Sequence, residues 1–105
     1  MLVVFNQLSV KPEWVEKIQA AFAEHLDLLA QEPGFGGFRF LSPQNPAESP
    51  CIVEVQWSDE ACFDAWKQSE HFRLSHARMG QYREAFTAPP KFGKYTISVS
   101  KTPSC

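Results

Sequence analysis

Residues 57–80 read WSDEACFDAWKQSEHFRLSHARMG, and how this stretch divides decides the fold. It holds two of the three tryptophans and two of the three histidines, with Phe63, Trp66 and Phe72 at near-helical spacing. In one unbroken helix, Trp66 and His76 would point about 80° apart at 100° per residue. Ser69 is a good N-cap in mid-stretch, so two helical pieces are predicted, about Asp59 to Gln68 and about Glu70 to Met79. In the second piece Phe72, His76 and Met79 share a face, which turns His76 away from Arg73 and Arg78. An amphipathic helix ordinarily buries a stripe of Leu or Ala. Wide aromatic faces beside an imidazole suit a flat, conjugated ligand instead.

Just before this stretch, Cys51 to Trp57 alternates as a strand, with Cys51, Val53, Val55 and Trp57 on one face and Ile52, Glu54 and Gln56 on the other. Ser58 is the expected cap of the helix that follows, with Asp59 and Glu60 at its positive end. Beyond the stretch, Gly80 to Gly93 is a long connection through Pro89-Pro90, of a length typical of lids and binding loops. Lys94 to Lys101 then alternates Tyr95, Ile97 and Val99 against Thr96, Ser98 and Ser100, a last strand, and Thr102 to Cys105 is expected to be a disordered tail.

The first half supplies the remaining elements. Leu2 to Val10 reads as a strand whose one face carries Leu2, Val4, Asn6 and Leu8. Asn6 interrupts an apolar row, where asparagine is depleted and costly if unpartnered; a bulge or an edge position is the ordinary explanation. Pro12 opens a five-turn helix with Trp14, Ile18, Phe22, Leu26 and Leu29 on one stripe. Glu32-Pro33-Gly34 ends it, because Pro33 cannot continue the ladder and Gly34 readily turns left-handed. Phe35 to Leu41 is a strand that Gly36-Gly37 allows to bend, and Ser42 to Pro50 is a loop with three prolines.

The order β-α-β-β-α-β is the split, ferredoxin-like α+β arrangement: an antiparallel four-stranded sheet with two helices on one face. Residues 1–101 form a single domain in this reading. The other sheet face is partly apolar and would lie bare, so a homodimer closing two sheets into an α+β barrel is expected. Nine phenylalanines in 105 residues exceed what so small a core needs, which leaves rings to line a cavity. A net charge of -2 and a pI near 5.9 give no footprint for nucleic acid or an anionic membrane. MLVVFNQLSV has no basic leader, and Asn6 and Gln7 interrupt it, so a cytoplasmic protein is expected. Cys51, Cys62 and Cys105 make no CxxC pair; the first two read as small core residues and Cys105 as a loose end.

The pattern W-x-x-E-x-x-F-x-x-W-x-x-S-x-x-F-x-x-x-H, filled by Trp57, Glu60, Phe63, Trp66, Ser69, Phe72 and His76, resembles the dimeric α+β barrel monooxygenases. Within them the chain is similar to the IsdG-type haem-degrading monooxygenases, with Asn6 in the first strand and Pro33-Gly34-Phe35 before the second also matching. Most of the pattern is shared with the wider antibiotic-biosynthesis monooxygenase group and argues fold; the trio Asn6, Trp66 and His76 argues substrate. The resemblance implies that His76 ligates haem iron, that Asn6 hydrogen-bonds near the distal oxygen site, and that Trp66 presses the porphyrin out of plane; Phe22 is expected in the wall of the same cleft. Haem would be both substrate and cofactor, consumed with O2 and electrons from an external donor.

Taken singly, each of the three has a plainer reading: His76 and Trp66 as core residues, Asn6 as a strand irregularity. His25 and His71 lack such support and read as surface or helix-packing residues. Two other functions fit the same residues. One is a cofactor-free monooxygenase acting on a quinol or polycyclic aromatic, with His76 moving a proton. The other is a non-catalytic haem-binding or stress-response protein. RNA-recognition domains share the element order, but Gly37-Phe38-Arg39-Phe40 lies on the second strand rather than the third, and the chain is acidic.

Overall fold

The structure is a computed structural model that describes residues 1–103, so Cys105 lies outside the described residues. Strand β1 (Leu2–Leu8) pairs antiparallel with both β3 (Cys51–Trp57) and β4 (Lys91–Thr96), and β2 (Phe35–Leu41) pairs with β3, giving the sheet order β2-β3-β1-β4. The predicted ferredoxin-like α+β fold is therefore present. Asn6 sits opposite Val53 on one side and Phe92 on the other, in unbroken register. It occupies neither a bulge nor an edge, so the ordinary explanation for a strand asparagine does not hold here. The bulge lies instead between Phe35 and Gly37, where Gly37 takes a φ of 156°.

Val4, Leu8, Cys51, Val53, Val55 and Trp57, predicted to share faces, form the sheet side of the core. Ile18 of α1 (Val15–Ala23) and Phe63 of α3 (Glu60–Lys67) pack onto them. Trp57 is fully buried, and its indole N–H has no acceptor among the described residues.

Four sequence expectations need correction. The first helix is not continuous: a 3-10 turn (Pro12–Trp14) leads into α1, and α2 (Leu26–Leu29) follows a break at Glu24-His25. There the His25 amide donates to the Phe22 carbonyl at 3.1 Å, a tightened turn that re-aims the chain before the ladder resumes from Leu29 to His25. The cap of α3 is Asp59, not Ser58: its carboxylate accepts from the Cys62 amide at 2.9 Å, which holds the Asp59 pKa below the usual carboxylate range. The long connection is shorter than expected, because Gly80–Ala85 winds into 3-10 turns and Phe86 bridges back to Val10.

Finally, β4 is shifted towards the N-terminus. Its register on β1 runs from Gln7 opposite Lys91 to Leu2 opposite Thr96, so β1 offers no strand residue beyond Thr96 to pair with. Past that point only the Ile97 amide reaches back, to the Met1 carbonyl at 3.3 Å, and Val99 stands 91% exposed.

The Ser69 break is as predicted. Its hydroxyl accepts from the Phe72 amide at 3.2 Å and opens α4 (Glu70–Met79). Gly34 carries the turn before β2 at a φ of 81°.

Candidate active site

An apolar cavity of about 590 Å³ opens between the sheet and the helices, within the range of about 300–1,000 Å³ that small-molecule sites occupy. Its floor is the helix-side face of the sheet, and its walls come from α2, α3, α4 and the loop through Pro89-Pro90. Asn6, Trp66, His76 and Phe22 all line it. Four residues from four parts of the chain thus converge on one space.

Asn6 is the polar point on an otherwise apolar floor, between Val4 and Leu8 along its own strand. No hydrogen bond ties its side-chain amide to the described residues, so both the carbonyl and the NH2 group are available to a ligand. Trp66 is half-buried in an aromatic stack. Its ring lies 5.5 Å from Trp57, 6.3 Å from Phe63 and 4.7 Å from Phe72, the last edge-on at 87°. Backed by a fully buried indole, it has little room to recede. His76 is exposed on the cavity side of α4, its ring edge-on to Phe72 at 4.0 Å. Phe22 packs on Phe38 and Phe40 of β2 at 6.1 and 5.6 Å.

Other wall residues were not singled out from the sequence. Phe92 stacks on Phe63 at 6.1 Å with 17° between the planes and stands next to Asn6 in the sheet. Counting the alternation of β4 back to Lys91 would have put Phe92, Lys94 and Thr96 on the helix face. His25 and His71 also line the cavity. His71 serves packing as expected, with Nδ1 2.8 Å from a Glu32 carboxylate oxygen, while His25 Nε2 lies 3.5 Å from Arg78 Nη1. These contacts link α4 to the break before α2 and to the turn after it. All three histidines thus share the cavity, although no cluster of metal-ligating side chains forms among the described residues.

A sequence profile described as antibiotic biosynthesis monooxygenase matches residues 1–78. The chain belongs to the antibiotic biosynthesis monooxygenase family. Membership supports a monooxygenase-type enzyme. Among solved structures, a mutant of MhuD with two manganese protoporphyrin IX bound per active site superposes with a TM-score of 0.79 at 20% identity, covering 98% of this chain and all of that one (100%). The haem-degrader MhuD from Mycobacterium tuberculosis, with two haems in its active site, gives 0.73 at 19% identity, with 97% and 100% covered. A protein of unknown function from Nitrosomonas europaea gives 0.73 at 24% identity, with 99% and 95% covered. At these identities the likeness carries the fold alone. No curated protein sequence matches the chain. No helix among the described residues is long and apolar enough to cross a membrane.

Proposed function

We propose that this protein is a haem-degrading monooxygenase that binds haem through His76 and opens the porphyrin with O2 and electrons from an external donor, releasing iron. The observation that carries the reading is the convergence of Asn6, Trp66 and His76 on one apolar cavity. The residues fit the group: broad aromatic and aliphatic walls suit a porphyrin body, and the imidazole of His76 makes no hydrogen bond to the described residues that would occupy its lone pair.

Bound haem would supply the iron that activates oxygen, and this chain's side chains hold and shape it. His76, as the neutral imidazole, would hold the iron through a ring nitrogen. Asn6 would donate a hydrogen bond from an uncharged amide to the bound group, adding polarity to the floor without adding a charge. Trp66, stiffened by its stacking on Trp57 and Phe63, would bear on the bound ring as a rigid wall. Phe22 closes the α1 side.

The same reading includes a homodimer acting in the cytoplasm, with residues 1–101 as its single domain. It is supported by the outer sheet face, where Leu41 and Tyr95 stand 38% and 59% exposed.

The test is an absorption spectrum of the purified protein titrated with haemin, then given a reductant in air. A histidine-type Soret band that decays as the porphyrin opens is expected. A sample whose spectrum remains that of free haemin, or one whose haem survives the reductant and oxygen, overturns the reading.

A further inference from the structure

The chain carries 12 Asp and Glu against 10 Lys and Arg, yet no carboxylate lines the cavity, whereas Lys67, Arg83 and all three histidines do. Two of these bases pair with carboxylates that do not line the cavity: His71 with Glu32 at 2.8 Å and Lys67 with Asp64 at 3.3 Å. Arg83 differs from the other arginines. Arg39 and Arg73 each pair with a glutamate, and Arg78 lies against His25. Arg83 has no ion pair and no side-chain hydrogen bond among the described residues. It is exposed, yet its backbone is anchored, since the Phe86 amide donates to its carbonyl at 3.3 Å and Ala85, two residues on, is fully buried and accepts from the Lys11 amide at 2.8 Å.

An uncommitted guanidinium on a fixed backbone at the edge of an apolar cavity is a ready fork for a carboxylate. Its attraction for an anion is stronger there than in open water, because the neighbouring wall is poorly polarisable. Lys67 adds a second cation from the last turn of α3, held 4.6 Å over the Phe63 ring.

We propose that Arg83, seconded by Lys67, is a carboxylate-reading rim, and that the cavity selects a flat apolar body bearing an acidic group at its edge over a neutral aromatic of the same shape. The inference deepens the reading of this cavity as a site for a flat conjugated molecule, and it assigns to Arg83 the discrimination between acid and neutral ligands.

Two matched pairs of probes test it: haemin against its dimethyl ester, and 1-pyrenebutyrate against 1-pyrenebutanol. Each is titrated into the wild-type protein, Arg83→Gln, Lys67→Gln and Arg83→Lys. Arg83→Gln is expected to weaken both acids about ten-fold while leaving both neutral partners unchanged, as loss of a charge-assisted hydrogen bond predicts. Lys67→Gln has a smaller effect of the same kind, and Arg83→Lys restores part of the loss. Equal effects on acid and neutral forms, or no effect on either acid, overturn the proposal.

The pyrene pair involves no iron. A protein that refuses haemin but holds pyrenebutyrate through Arg83 keeps the rim and loses the haem reading. Normal haemin binding with no dependence on Arg83 in either pair does the reverse.

Discussion

The His76 ring stands edge-on to Phe72, centroids 4.0 Å apart and planes at 82°. Phe72 in turn meets Trp66 edge-on at 4.7 Å, and Trp66 lies on the buried Trp57 at 5.5 Å. A continuous run of rings therefore links the proposed iron ligand to the core, and it fixes the imidazole on an otherwise exposed helix face.

Replacing His76 by Ala is expected to remove the axial-ligand signature from the Soret region and to abolish degradation, while the apolar cavity still holds porphyrin loosely. His25→Ala and His71→Ala should keep both signature and turnover, despite lining the same cavity. Because a proton and a metal compete for one imidazole nitrogen, haemin binding to the wild type should also weaken in acid. A wild-type ferric spectrum in His76→Ala would give the ligand role to another residue.

Trp66→Ala should leave haem binding measurable and slow turnover at least ten-fold, if the indole's work is to shape the ring. Truncation also opens a hole beside Trp57, so Trp66→Phe serves as the variant that keeps the stack filled. Single-turnover decay of the Soret band at saturating haemin separates the two effects. Unchanged turnover with collapsed affinity would make Trp66 a binding wall only.

Light scattering at micromolar concentration should report a dimer, and Tyr95→Glu should return it to monomer. Tyr95 stands on the outer sheet face against Phe5 at 5.7 Å, 59% exposed in the single chain. A carboxylate there would be buried unpaired by sheet-on-sheet closure. A species of 11.9 kDa in the wild type contradicts the barrel.

Glu54 makes acid stability testable. It is 3% exposed on that outer face, and Arg39 bonds both its oxygens, at 3.0 and 2.6 Å, while Gln56 Nε2 adds a bond at 3.2 Å. The Arg39 bonds, with help from Gln56, hold its pKa below the usual glutamate value against the opposing effect of burial. A depressed folded pKa contributes stability that is complete above the unfolded value of about 4.3 and is lost as pH falls through the folded one. Glu54→Gln should therefore lower Tm at neutral pH and flatten its fall below about pH 5. Parallel Tm-against-pH curves for the two proteins would contradict this.

Gly34→Ala should cost about 1–3 kcal/mol in thermal unfolding. The residue holds a φ of +81°, and a Cβ there would lie 2.6 Å from the Cys62 Cβ and 2.8 Å from the Ser58 hydroxyl. Unchanged Tm would mean that the α3 end yields more easily than its packing implies.

The sequence by itself determined the element order, the break at Ser69, the left-handed turn at Gly34 and the facing of Val4, Val53, Val55 and Trp57. Each is set by local sterics, a single cap or a two-residue alternation, and needs no distant partner. The trio Asn6, Trp66 and His76 was legible through a pattern, but its convergence on one cavity was not, because the residues lie on three elements brought together only by packing. Three further points belong to tertiary structure alone. The span of β4 follows from where β1 begins. The break at His25 separates two helices that one apolar stripe had joined. And the wall made by Phe92, His25 and Arg83 exists because long-range pairing, with no local sequence signature, decides which side chains face the same empty space.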